Sequence, residues 1–296
     1  MIITPTFTAN FTTNFGAHAA AAKAAWIAAA SVFTRNFSDN IHVNIIVDAV
    51  AGTSVFGQSN TGLISITYAN LRARVAADAK THNDQVAISP SGSMTVTDPT
   101  GGTGQWFLTR SQAKALGVIP DDQVNDGKTT FGAGNHFTFS GPIAAGTYDF
   151  QGIAAHEISE VMGRLGLSGN PLGSVPHAYS LIDNFSYTGP HHKGLNGGPN
   201  NNFSIDGGTT LLKLWNNPLI NHLDSRDWAP GTNDSFNQFS SPGVVNPVSA
   251  IDLQLFDVIG YDLIAGAHAA AAESTAAASV SPSEEVFEAS GVAHPQ

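Results

Sequence analysis

Apolar residues alternate with polar ones over residues 7–12, Phe7-Thr8-Ala9-Asn10-Phe11-Thr12, as they would on a half-buried strand. Over residues 17–37 the period lengthens. In that Ala-rich run Trp26, Ile27, Ala30, Phe33 and Phe37 recur mostly at spacings of three to four, which predicts a helix that Asp39-Asn40 ends. Residues 42–50 (HVNIIVDAV) are β-branched enough for a central strand, and residues 62–68 (GLISITY) predict another, with a Gly/Ser/Asn loop between them. Helical spacing returns over residues 68–80, where Leu71, Val75 and Ala79 face inward and Arg72 and Arg74 outward. This succession of strands and helices predicts a mixed α/β (α+β) fold.

Farther along, residues 109–117 form a short predicted helix with Thr109 as its N-cap and Gly117 at its C-terminal end. Asp126-Gly127-Lys128 marks a turn, and the alternating residues 129–140 (TTFGAGNHFTFS) predict an edge strand. Residues 148–163 (YDFQGIAAHEISEVMG) predict a helix whose apolar side is Phe150, Ile153, Ala154, Ile158, Val161 and Met162. From residue 166 to about 248 Gly, Asn, Pro and Ser dominate, so loops are expected. A last apolar helix falls within residues 247–261. The expected organisation is one domain over residues 1–263, with an upper part to about 165 and a loop-rich lower part from 166. Residues 264–296 are Ala/Ser/Glu-rich without a basic residue, the composition of a flexible tail.

Composition narrows the function. Only 12% of the 296 residues are charged, and 12 basic against 23 acidic residues leave a net charge of −11. A nucleic-acid backbone would be repelled, and no apolar run approaches the ~20 residues of a membrane span. Zero cysteines exclude disulfides, thiol nucleophiles and thiolate metal sites. Any metal must be held by His, Asp, Glu or backbone oxygen. The start of the chain, Met1-Ile2-Ile3-Thr4-Pro5, lacks the basic and apolar regions of a cleavable signal peptide.

The predicted helix over residues 148–163 carries the candidate chemistry. His156 and Glu160 stand one turn apart on the same face, where imidazole nitrogen and carboxylate oxygen can grip one cation. Glu157 would then lie beside the metal, placed to move a proton between a water and a leaving amine. The competing reading is a solvated acidic helix face with one surface histidine, but the apolar neighbours Ile153, Ala154, Ala155, Ile158 and Val161 argue against an outer face.

His156-Glu157-Ile158-Ser159-Glu160 resembles the active-site helix of the zincin metallopeptidases, with Glu160 in place of the second histidine of His-Glu-x-x-His. The order of Ala-rich helix, sheet with an edge strand and motif helix is similar to the zincin upper subdomain. Residues 161–164, 179–187, 204–208, 227–228 and 255–262 look like those of a group of bacterial exported metalloprotease-like proteins, so the resemblance spans roughly residues 5–263. It implies zinc-dependent peptide hydrolysis with Glu157 as general base, a protein or peptide substrate, and a secreted or cell-surface location. It also has gaps. Gly163 is followed by Arg164-Leu165-Gly166 without the third metzincin ligand, and no methionine follows Met162 to form a Met-turn.

A third ligand is therefore expected downstream. Asp183 is the first choice, in the apolar setting of Leu181, Ile182 and Phe185, although a helix N-cap is an equal reading of it. His177, His191 and His192 are its rivals, and Tyr179 or Tyr187 could donate to an oxyanion. Asp224, Asp227, Asp234, Asp252 and Asp257 make calcium a weaker alternative, without EF-hand spacing. The rival function is a catalytically inactive exported protein on the same fold, serving binding, adhesion or self-assembly.

Overall fold

The structure, a computed structural model, describes residues 1–221 and 223–266. Its first part runs β1 (Ile2–Phe7), α1 (Ala9–Phe15), α2 (Ala19–Asn36), β2 (His42–Val50), β3 (Gly57–Thr61), β4 (Leu63–Ile66), α3 (Tyr68–Asp78), α4 (His82–Ile88), β5 (Gln105–Thr109), α5 (Arg110–Ala115), β6 (Gly127–Gly132), β7 (Phe137–Thr138), β8 (Tyr148–Asp149) and α6 (Phe150–Val161). Then follow β9 (Ala178–Ser180), a 3-10 turn (Leu181–Phe185), β10 (Ser186–Gly189), β11 (His192–Lys193), β12 (Asn202–Phe203), β13 (Lys213–Leu214), α7 (Pro218–Asn221) and α8 (Ala250–Val258). The fold is mixed α/β, as the alternation of periods predicts. Among the described residues no helix is long and apolar enough to cross a membrane.

The principal sheet has the order β1-β2-β6-β3. Three of its strands are parallel, and β3 runs antiparallel to β6 on the edge. Residues 42–50 lie between two neighbours, which explains their continuous apolar character. Helix α2 buries Ala22, Ala25, Trp26, Ala29, Ala30 and Phe33, and its alanines let α6 approach closely. Trp26 keeps its indole N–H satisfied on Thr129 Oγ1, 3.1 Å away in the core. Helix α6 also packs against the sheet. A Cβ on Gly127 of β6 would lie 2.6 Å from Val161, so only glycine permits that approach.

Three local expectations change. The strand expected over residues 7–12 stops at Phe7, because Thr8 accepts the Phe11 N–H and caps α1. Residues 129–140 are not one edge strand, since Phe137–Thr138 forms the separate strand β7, paired with β8 alone. Their first part is β6, held between β2 and β3, and the edge is β3 in the stretch expected to be loop. The segment 62–68 does supply a strand, but β4 joins a separate sheet of order β4-β5-β9.

The lower part is loop-rich, with one small sheet of order β11-β10-β12-β13. It shares the main core nonetheless, since Phe236 and Phe256 both meet Phe33 of α2. Of the expected tail, residues 267–296 lie outside the described residues.

Candidate metal centre

Helix α6 brings His156, Glu157 and Glu160 under the edge strand, and a loop far along the chain brings Asp227 to them. His156 Nε2 lies 3.5 Å from Glu160 Oε1 and 3.6 Å from Asp227 Oδ1. One donor atom from each of these three residues lies within 4.8 Å of the other two. The other imidazole nitrogen, Nδ1, is 2.9 Å from the Ser235 carbonyl. A carbonyl can only accept, so Nδ1 carries a proton, and Nε2 is left facing the two carboxylates, where it is an N–H donor in the protonated ring and a lone-pair donor to a cation in the neutral one. Ser59 of β3 donates its hydroxyl to Glu160 Oε2 at 2.6 Å, fixing that carboxylate from the opposite side.

Arg164 completes the surroundings. It is fully buried and donates through Nη1 to Asp227 Oδ1 and through Nε to Ser159 Oγ at 2.7 Å. Its Nη2 lies 3.6 Å from Glu160 Oε1, and its guanidinium covers the Phe236 ring at 4.8 Å. Glu157 is also buried, with its carboxylate beside β3. A Cβ on Gly57 would sit 2.3 Å from Glu157 Oε1, so the absence of a side chain at Gly57 makes room for it.

Burial and the neighbouring Glu160 charge push the Glu157 carboxyl well above the usual range, favouring its protonated form. Burial also raises Asp227 against the pull of Arg164 and His156, and burial with the charges of Asp227 and Glu160 raises Asp224 to about 8. Glu160 goes the other way: burial opposes ionisation, but the His156 hydrogen bond, the His156 and Arg164 charges and the Ser59 hydroxyl bring it down to about 2. For His156, burial and Arg164 favour the neutral ring, but Asp227 and Glu160 outweigh them and lift it to about 9. The cluster therefore has more acid than its resident cations balance.

The donor set fits a divalent cation. One imidazole nitrogen with two carboxylate oxygens suits zinc, although it does not distinguish zinc from other first-row metals. Asp227 Oδ2 is buried with no hydrogen-bond partner, an acceptor in need of a cation or a proton.

Asp183 is not part of this group. Its Oδ2 accepts the N–H groups of Ser168 at 3.0 Å and Ser180 at 2.8 Å, and its Oδ1 accepts Arg226 Nε at 2.8 Å. With both oxygens used inside the core, Asp183 has nothing left for a metal. It anchors Arg226 instead, and so the loop that presents Asp227. His177, His191 and His192 are exposed away from the cluster. Tyr179 donates to Asn196 at 2.9 Å and Tyr187 faces the Ser93 carbonyl at 3.4 Å, so neither serves an oxyanion near Glu157. Three carboxylates of the weaker calcium set are engaged within the protein: Asp234 by Lys213 at 2.5 Å, Asp252 by Trp228 Nε1 at 2.6 Å and Asp257 by Thr81 at 2.8 Å.

Asp227 entered the sequence reading only in the weaker calcium set, not as a donor beside His156 and Glu160. Its signal was the triplet Arg226-Asp227-Trp228, an acid between a cation and an indole within a polar loop region. Comparisons with family models, curated proteins and solved structures gave no match.

Proposed function

We propose that the chain is a metal-dependent peptide hydrolase in which His156, Glu160 and Asp227 hold a divalent cation, zinc first, and Glu157 is the general base. The observation that carries this reading is the convergence of those three donors beside a buried carboxylate, at the foot of an edge strand. When bound, such a cation supplies Lewis acidity toward a scissile carbonyl and a water.

The chain's own residues do the rest. With a cation held beside it, the positive charge would offset Glu160 and return Glu157 to its ionised form, in which it takes the proton from the attacking water and returns it to the leaving amine nitrogen. Ser235 and Ser59 keep the imidazole and the Glu160 carboxylate oriented. The edge of β3 supports an extended peptide by strand addition, the edge itself having been expected over residues 129–140. Glu160, in place of the second histidine of the zincin pattern, brings an extra negative charge, and the Arg164 guanidinium at 3.6 Å offsets it. The resemblance to exported metalloprotease-like proteins supports a secreted or cell-surface setting for the reaction.

The test is metal content together with hydrolysis of an unfolded protein substrate. Glu157→Gln is expected to keep stoichiometric metal and lose turnover, whereas Glu160→Ala loses the metal. An unchanged rate in Glu157→Gln removes the mechanism.

One observation favours a second reading. Arg164 already bonds Asp227 and approaches Glu160, so the cluster can persist as a buried ion-pair network in a non-catalytic binding or adhesion protein. Wild-type protein that remains substoichiometric after zinc loading decides for that reading.

A further inference from the structure

Gly152 of α6 and Asn246 form a wall shared by two hollows. The wall is thin: a Cβ on Gly152 would sit 2.7 Å from the Asn246 carbonyl oxygen. The smaller hollow, about 40 Å³, exposes His156 and Glu157. The larger, about 410 Å³, opens between α2, α6 and the segment after β7, and its volume is in the range of ligand-binding cavities.

Its uncommitted charge is of one sign. Val32, Phe139, Ile143, Ala155 and Val248 give it apolar walls, and Arg35 stands exposed on it. Among the described residues Arg35 makes no ion pair. The other charged group of the cavity, Asp149, is already engaged, because its Oδ2 accepts the Asn246 N–H at 2.9 Å. An incoming ligand therefore meets apolar surface, the neutral polar residues Asn36, Thr138, Ser140 and Gln151, and one uncommitted guanidinium, while His156 and Glu157 lie just beyond the shared wall.

We infer that the larger hollow is a substrate subsite of the proposed hydrolase, accepting a bulky apolar side chain of a peptide whose next residue carries a carboxylate to Arg35. This rests on the hydrolase reading for its placement in a reaction, but not for its binding chemistry. Side-chain burial supplies affinity, and the single guanidinium selects for a carboxylate beside the buried group.

The probes are Ac-Val-Phe-Glu-NH2, its Gln counterpart Ac-Val-Phe-Gln-NH2 and its Gly counterpart Ac-Val-Gly-Glu-NH2, titrated calorimetrically into full-length Glu157→Gln protein after chelator treatment. Replacing Phe by Gly is expected to weaken binding ~10-fold or more, the worth of burying an aromatic ring. Replacing Glu by Gln should cost ~2–5-fold, as for an exposed ion pair. Arg35→Gln should erase the preference for Glu over Gln, and Val248→Trp, which fills the hollow from a half-buried position, should weaken all three probes. The subsite is overturned if Arg35→Gln leaves the Glu preference intact or if Val248→Trp binds as before. Because no turnover or metal is needed, failure of the hydrolase reading is separable. Protein that shows this binding pattern but never holds metal sinks the hydrolase alone, and an active metallohydrolase indifferent to these changes sinks the subsite alone.

Discussion

Ser59 and Glu160, 101 positions apart in sequence, share a hydrogen bond of 2.6 Å that ties the edge strand to the motif helix. The bond uses Glu160 Oε2 and leaves Oε1 facing His156. Partners of this kind orient a ligand without touching the metal, and losing one typically costs roughly 10–100-fold in affinity. Ser59→Ala is therefore expected to weaken metal binding about tenfold with little change in melting temperature. Competition against a chelating dye measures it, and an unchanged affinity would show that the serine orients nothing.

Gly57 and Glu157 make a second link between the same elements. An alanine methyl at position 57 would overlap the Glu157 carboxylate, because its carbon would stand 2.3 Å from Oε1. That carboxylate ends a rotatable side chain, so the fold can survive while the base is displaced. Gly57→Ala should retain metal yet lose most turnover, and full activity in this variant would place the base elsewhere.

Asp183 and Asp227 separate a structural role from the proposed ligating one. Asp183→Asn leaves Arg226 buried without its counter-charge, a loss of about 3–5 kcal/mol in stability. Metal bound to whatever folded protein remains should stay near one equivalent. Asp227→Asn should lose the metal, since the amide is a poor replacement for a charged donor. Thermal melts paired with elemental analysis distinguish the two, and stoichiometric zinc in Asp227→Asn would remove that residue from the ligand set.

A pH effect comes from carboxylates outside the cluster. Burial and the Asp262 charge raise Asp39 to about 6, and the same two causes raise Asp78 to about 7. Carboxylates whose folded pKa exceeds the unfolded value of about 3.9 contribute stability that is complete below that value and is lost as pH rises through the folded pKa. These two groups therefore withdraw stability between about pH 4 and pH 8. Lys80 moderates the effect, lying 3.8 Å from Asp78 and bonding Asp262. Asp78→Asn should raise the melting temperature at pH 8 and leave it nearly unchanged at pH 4. Equal shifts at both values would contradict the assignment.

The helices and central strand were legible because most of their apolar residues follow one period, Ile27 of α2 being an exposed exception. Trp26, Phe33, Ile153 and Ile158 are all buried where that period puts them. Strand β3 was not legible, since Gln58, Ser59, Asn60 and Thr61 supply no apolar residue and its pairing with β6 is tertiary. At the site, the spacing of His156 and Glu160 is local and could be read directly. The third donor could not. Asp183 and Asp227 look alike in sequence, and only the folded positions of Arg226 and Arg164 decide which of them has an oxygen to spare.

Beside the third donor, Trp228 stacks on Trp215 with ring centroids 4.1 Å apart and planes inclined by 18°. Two indoles this close behave as one coupled chromophore, and the peptide bond joining Asp227 to Trp228 ties that chromophore to the cluster. A cation drawn to Asp227 as proposed is expected to change their mutual angle, and the near-ultraviolet circular dichroism of the unlabelled protein would then follow its loading.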